Sequence, residues 1–330
     1  MVRREIGEDD QAGYDRPGKR NRARTKRRPD YSDAEVGLVM TVDRGRYQCL
    51  VDDRRVRCTK ARALGRKGVI VGDRVRIVGD TSGDEGTLAR IVEVVDRETV
   101  LRRTADDDDP YERPIVANAT QLVIVTALAD PPPRTGMIDR ILVAGYDAGL
   151  EPLLCLTKAD LADPDELLAA YEPLGVPVSV VRPGADLTGL RDLLADERSV
   201  FVGHSGVGKS TLVNALIPGA DREIGVVNDV TGRGRHTSTS AVALELPAPG
   251  GWVIDTPGVR SFGLSHVSPD DIIAAFGDLA EATHACPRAC PHTADSPGCG
   301  LDAAVAAGEV SADRVESVRR ILAARGEPSY

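Results

Sequence analysis

Alternation of apolar and polar residues sets in at Glu35. The runs EVGLVMTVD, RYQCLVDD, RRVRCTKA, DRVRIVGD and TLARIVEVVDR are short, rich in β-branched residues and broken by Gly and Asp turns, the period-two pattern of half-buried strands. About five such strands in roughly 70 residues predict a small barrel of the OB type, with an SH3-like barrel as the rival. No ring of aromatics for base stacking accompanies it, so nucleic-acid contact there would run through phosphate, backbone and shape.

After the acidic stretch TADDDDPYERP the pattern changes. QLVIVTAL, EPLLCLTKAD, VPVSVVRP and RSVFVG read as buried strands, and MIDRILVAGYDAGL, PDELLAAYEPLG, LTGLRDLLAD and STLVNALI as the helices between them, which predicts a parallel sheet with crossover helices. Beyond Asp255 the chain turns helical. SPDDIIAAFGDLAEA carries Ser268 as N-cap and Pro269 in the first turn, and SADRVESVRRILAARG repeats that pattern with Val315, Val318 and Leu322 on one face. The expected organisation is a disordered basic arm (1–33), an OB-like barrel (34–103), an α/β nucleotide-binding domain (104–265) and a C-terminal helical domain (266–330).

Composition sharpens this outline. Aromatics make up only 3% of the 330 residues, so the core must be aliphatic. The net charge of −9 hides an asymmetry: residues 1–103 hold 25 Lys/Arg against 18 Asp/Glu, the remainder 17 against 33. A basic front on an acidic body suggests a polyanionic partner. The arm RPGKRNRARTKRRPD lacks the apolar residues needed to offset the entropy of folding. No apolar run approaches the ~20 residues of a membrane span, and no apolar signal core follows the charged N-terminus, so a cytoplasmic protein without membrane association is expected. Its six cysteines should be reduced there, with Cys49 and Cys58 packing as small hydrophobes in the barrel.

GHSGVGKS, between the strand SVFV and the helix STLVNALI, matches G-x-x-x-x-G-K-[ST] in the required context. Gly203, His204, Ser205, Gly206, Val207 and Gly208 would wrap phosphates with backbone N–H groups; Lys209 would bridge the β- and γ-phosphates, Ser210 would ligate Mg²⁺, and Thr211 completes the turn. WVIDTPGV is a strand ending in Asp-x-x-Gly, where Asp255 would hold Mg²⁺ through water and the Gly258 N–H would sense the γ-phosphate. Between them NDVTGRGRHTSTS has the composition of a switch loop, with Thr237 or Ser238 as its Mg²⁺-binding hydroxyl.

Thr157-Lys158-Ala159-Asp160 follows another strand. Asp160 can accept both guanine N1–H and the 2-amino group, which adenine lacks, while Lys158 would pack along the base. Ser179 and Val180, on the next strand, would approach guanine O6. The base-reading tetrapeptide precedes the phosphate loop, so the motif order is a circular permutation of the usual GTPase, which packing permits because an exposed loop can be cut and old termini joined.

Barrel, permuted motif order, DTPGVRSFGL and a C-terminal Cys/His cluster together resemble the circularly permuted ribosome small subunit-dependent GTPase A family (RsgA/YjeQ) over nearly the whole chain. Thr157 stands where many members have Asn. The resemblance implies GTP hydrolysis to GDP tied to late maturation of the 30S subunit, with barrel and zinc domain on ribosomal RNA, other 30S assembly factors as further partners and a monomeric chain.

The residue after Asp-x-x-Gly is Val259, where many GTPases carry a water-orienting Gln. His236, in the switch segment, is the candidate for that role on the family's pattern; a solvated loop histidine is the alternative. In HACPRACPHTADSPGCG, Cys286, Cys290, His292 and Cys299 form a Cys₃His set suited to one structural Zn²⁺. The family spacing differs by one residue in two gaps, which leaves His284 as a substitute for Cys286. Two other function classes stay open: a metal-inserting GTPase whose cluster is a transfer site, and an RNA-binding module whose nucleotide only stabilises the fold.

Overall fold

The computed structural model describes residues 30–65, 68–103, 113–220, 241–256, 264 and 267–324. Expectations for the basic arm before Asp30, for the acidic stretch 104–112, and for His236, Thr237, Ser238, Gly258 and Val259 fall outside these residues. Of 1–33, the turn at Asp30 is described, whose carboxylate accepts the Ser32 N–H at 2.9 Å. The described residues from Ala34 onward form one compact unit.

The five N-terminal runs become β1 (Glu35–Asp43), β2 (Arg46–Val51), β3 (Arg54–Lys60), β4 (Arg74–Val78) and β5 (Ala89–Val94). They close in the order β1-β2-β3-β5-β4, with β4 returning to β1. All neighbours are antiparallel except β3 and β5, which pair in parallel through Cys58↔Ala89, Thr59↔Arg90 and Lys60↔Ile91. A parallel pair needs a crossover; the segment containing β4 supplies it, and the resulting order is that of an OB barrel. Val39, Cys49, Val56, Cys58, Val75, Ile77 and Ile91 fill the interior, so the two cysteines are core residues.

A short antiparallel sheet of β6 (Val100–Arg103) and β7 (Arg113–Ala117) leads out of the barrel. The junction is closed by polar groups. Asp73 is fully buried and accepts two bonds from Arg97 at 2.6 and 2.8 Å and one from the Ile70 N–H at 2.8 Å. Asn118 donates to the Gly72 carbonyl at 2.9 Å and accepts from the Glu98 N–H at 2.8 Å, while the Ala117 N–H reaches the Val71 carbonyl at 3.0 Å. The loop before β4 is thereby tied to the chain entering the next sheet.

That sheet contains β8 (Gln121–Ala127), β9 (Glu151–Thr157), β10 (Val178–Val180), β11 (Arg198–Val202), β12 (Val242–Glu245) and β13 (Trp252–Asp255), in the order β10-β9-β8-β11-β13-β12. The first five are parallel. β12 is antiparallel to β13 and joins the barrel through Thr41↔Val242, so one eleven-stranded sheet runs through both. The connecting helices are α1 (Thr135–Asp147), α2 (Asp165–Tyr171), α3 (Thr188–Leu194) and α4 (Lys209–Leu216).

Because side chains alternate along a strand, each central strand feeds two cores. Leu122, Ile124, Leu154, Leu156, Val200 and Val202 point to one face, packed with α1. Val123, Val125, Leu153, Cys155 and Phe201 point to the other, packed with α3 and α4.

The C-terminal region forms α5 (Pro269–Ala274), α6 (Gly277–Thr283), α7 (Gly300–Ala307) and α8 (Ala312–Ala324). Ser268 caps α5 as expected: its hydroxyl accepts the Asp271 N–H at 3.1 Å, and Asp271 accepts the Ser268 N–H at 3.0 Å. The single run SPDDIIAAFGDLAEA is split at Phe276, whose ring turns inward against Tyr146 with centroids 4.9 Å apart. Leu279, Leu301, Val315, Val318 and Ile321 belong to the α1-face core, so these helices do not bury a core of their own. α8 is fixed to α1 by Arg320, which donates to the buried Asp139 at 3.0 Å beside the Tyr171 hydroxyl at 2.9 Å, and Arg140 reaches the Ala324 carbonyl at 3.0 Å.

Asp73→Ala leaves the Ile70 N–H and the Arg97 guanidinium without this acceptor inside the junction. The expected loss is about 1–3 kcal/mol, seen as a melting temperature lowered by roughly 2–4 °C per kcal/mol. Glu93→Ala, at a carboxylate 52% exposed beside Arg76, should stay near wild type.

Candidate nucleotide cleft and metal centre

The carboxyl ends of β8, β9, β11 and β13 converge on one rim of the sheet, where parallel α/β folds place their ligands. β11 runs into Gly203, where a Cβ would lie 2.4 Å from the Val125 carbonyl oxygen, so the loop can leave the strand this closely only as glycine. Gly206 and Gly208 have φ of 86° and 90°, and Gly208 caps α4. Alternating such residues with ordinary ones turns successive N–H groups toward one concavity. Ser205, Gly206, Ser210 and Thr211 are exposed on this rim, while Val207 is buried beneath it. His204 is half-buried, its Nδ1 2.9 Å from the Ser205 carbonyl oxygen.

Lys209 donates to the Asp255 carboxylate and to the Thr256 carbonyl. The ammonium is 10% and the carboxylate 15% exposed, so a predicted phosphate ligand and a predicted Mg²⁺ ligand already share one spot at the sheet rim. Thr256 is buried, its hydroxyl on the Phe201 carbonyl at 2.8 Å, and this locks the end of β13 to the strand feeding the phosphate loop.

The base-reading loop is held to the phosphate loop directly. The buried Thr157 hydroxyl donates to the Val207 carbonyl at 2.5 Å, with the Thr126 carbonyl 3.2 Å away. Lys158 adopts φ 56° and donates to the Asp130 carbonyl in the β8–α1 loop. Ala159 N–H bonds the Val181 carbonyl at 3.2 Å and Val181 N–H the Leu156 carbonyl at 2.7 Å, which brings the end of β10, with Ser179 and the exposed Val180, beside the exposed Asp160. The β8–α1 loop, carrying Asp130, is a third wall that motif reading missed; its only sequence signal was the run of prolines 131–133.

Far along the chain, Cys286, Cys290, His292 and Cys299 place one ligand atom each within 4.8 Å of one another. His284 closes α6 and is not a member of the group. The Cys286 and Cys299 sulfurs are 4.0 Å apart, and His292 Nδ1 is 3.6 and 3.8 Å from them. Ligands about 2.3 Å from a tetrahedral Zn²⁺ stand roughly 3.8 Å from each other, so the donor set fits that ion. Burial, opposed by the Gly300 N–H and reinforced by the neighbouring thiols, pushes the Cys286 thiol up to about 11. A divalent cation is the charge that would let thiolates share this pocket. Gly300 is a further residue that motif reading passed over: its N–H donates to Cys286 Sγ at 3.0 Å, and a Cβ there would meet the Ala282 carbonyl oxygen at 2.1 Å.

Thr157→Val keeps the shape of the side chain and removes the hydroxyl that ties the two loops. Guanine-nucleotide affinity should fall roughly fivefold, about 1 kcal/mol for one hydrogen bond, with Thr157→Asn restoring it. Release of a fluorescent GDP followed by stopped flow measures both.

Comparison with known proteins agrees with this geometry. The family model described as RsgA GTPase matches residues 94–265. A protein of Ectopseudomonas mendocina named small ribosomal subunit biogenesis GTPase RsgA is 44% identical over 227 residues, 66% of this chain and 65% of that protein; the match thus spans just under two thirds of the relative's length. Among solved structures, YjeQ from Thermotoga maritima superposes with a TM-score of 0.66 at 26% identity, covering 89% of this chain and 99% of that one. YloQ, described as a circularly permuted GTPase, superposes at 0.62 over 92% of this chain and 100% of its own, and at 24% identity shares the fold. With a family model over more than half its length, the same permuted motif order and the same fold, the chain belongs to the RsgA GTPase family.

Proposed function

We propose that this protein is a Mg²⁺-dependent GTPase that hydrolyses GTP to GDP and phosphate while bound to the small ribosomal subunit and leaves it afterwards, as a late assembly factor acting in the cytoplasm. The observation that carries the reading is the convergence of Lys209, Asp255 and the Thr157–Val207 link on one sheet rim. Asp160 accepts the guanine donors, the 203–208 loop and Lys209 bind the phosphates, and Ser210 and Asp255 serve Mg²⁺, directly and through water. Mg²⁺ offsets the negative charge of the β- and γ-phosphates and fixes their orientation.

Thr237 or Ser238, the Gly258 N–H and His236 complete the proposed machinery from the switch segments. Val259 cannot orient an attacking water, so turnover of the free protein is slow and His236 takes that role. The barrel face and the Zn²⁺-braced C-terminal helices dock on ribosomal RNA. Among the described residues no helix is long and apolar enough to cross a membrane. A closed four-ligand set packed into the α1-face core supports a structural metal rather than a cargo in transit.

Two measurements test this reading. Asp160→Asn should lose roughly 10–100-fold in GTP affinity, as expected for charge-assisted hydrogen bonds, and gain affinity for xanthine nucleotides. Wild type binding ATP and GTP alike refutes the base-reading role. Turnover should rise strongly on adding 30S but not 50S subunits, and the GTP-analogue form should sediment with 30S more tightly than the GDP form, weakening as salt rises. Equal binding of both forms, or 30S-independent turnover, refutes the assembly role.

A further inference from the structure

The two ring nitrogens of His292 face different partners. Nδ1 points at the Cys286 and Cys299 sulfurs at 3.6 and 3.8 Å, while Nε2 lies 3.3 Å from the Asp270 carboxylate. The ring is 3% exposed, whereas the carboxylate is 84% exposed. A neutral imidazole has one N–H, and a nitrogen that binds a metal cannot carry it. The hydrogen must therefore sit on Nε2, and the protein atom there to accept it is Asp270 Oδ1.

We propose that Asp270 is the outer-shell positioning residue of the metal centre: it accepts Nε2–H, fixes the tautomer that frees Nδ1, and so orients His292 toward Zn²⁺. The inference rests on the zinc reading of the Cys₃His group. Three features support the assignment. His292 adopts φ 57°, an uncommon backbone conformation, and its carbonyl is held by Arg319 Nε at 3.0 Å; Arg319 is itself paired with Asp302 at 2.9 Å. The ring is thus presented from a fixed backbone, leaving its rotation as the freedom that Asp270 removes. Because Asp270 keeps most of its surface in water, it accepts this bond at little desolvation cost, and metal binding at Nδ1 makes Nε2–H a better donor to it.

Asp270 also lies in the first turn of α5, the element the chain enters after the Asp-x-x-Gly segment through the buried Leu264 and Val267. The same carboxylate therefore ties the start of that helix to a metal ligand. Asp271, its neighbour, belongs to the capping box with Ser268 and provides a control that perturbs the same helix end.

The test uses the full chain loaded with Zn²⁺. Competition with a chromophoric chelator gives affinity and release rate, and ¹⁵N-histidine NMR reads the exchange of the His292 Nε2 proton with water. Asp270→Ala should weaken Zn²⁺ binding roughly 10–100-fold, the usual effect of removing an outer-shell partner, and speed exchange of that proton. Asp270→Asn, which keeps an acceptor oxygen, should recover most of both. Asp271→Ala should lower α5 stability with slow proton exchange and Zn²⁺ affinity retained. Wild-type release and exchange in Asp270→Ala, or equal loss in Asp271→Ala, overturns the role of Asp270 and leaves the zinc reading standing. A wild-type chain that takes up no Zn²⁺ overturns both.

Discussion

Burial of β8, β9 and β11 on both faces is the constraint on which the rest of the structure depends. Their side chains alternate between two aliphatic cores, so each strand is fixed in register from above and below. Fixing the strands fixes their carboxyl ends, and these carry the base-reading loop, the phosphate loop and, on the neighbouring β13, Asp255. No loop has to find its partner independently. The short bonds from Thr157 to Val207 and from Thr256 to Phe201 then trim a geometry already set by packing.

The same burial explains why cutting the domain elsewhere in sequence leaves the sheet order intact. Strand neighbours are chosen by complementary apolar surface, and the connection that was opened contributes little of it. Permutation changes where the chain exits, and here that matters. After β13 it runs into α5, and the helices beyond complete the α1-face core with Leu279, Leu301, Val318 and Ile321. Below about 70–80 residues a domain rarely stabilises itself by core alone; this one borrows the core of the sheet and carries a four-ligand cluster as a second brace.

The barrel is attached by different means. Beyond its own closed interior it sends Met40 and Val71 into the α1-face core, and its junction adds the Asp73–Arg97 pair, Asn118 and the β1–β12 pairing. Hydrogen bonds are directional where apolar contact is not, and together the two specify one orientation. A barrel expected to meet RNA and a cleft expected to bind nucleotide are thereby held within a single continuous sheet.

The sequence alone determined much of this, because its signals are local. Alternation located β1 to β5, and continuous apolar runs located β8 to β11, within three residues of their ends; glycine spacing marked the phosphate loop, and the cysteine cluster offered a four-residue ligand set with His284 as a substitute for Cys286. It missed β6, β7 and β12, strands of four or five residues too short to show a period, and α7, whose alanine-rich run is apolar nearly throughout and so shows no face; it ran α5 and α6 together because the break at Phe276 comes from a ring turned toward Tyr146 across the core. It could not choose between OB and SH3-like closure, since the parallel β3–β5 pairing joins residues distant in sequence. Nor could it choose between Cys286 and His284, assign the nitrogen of His292 that faces the thiols, or see Gly300 and Asp270 beside the cluster. Those are decided by distances between segments that no short-range pattern encodes, and only the packing of the folded chain brings them within hydrogen-bond reach.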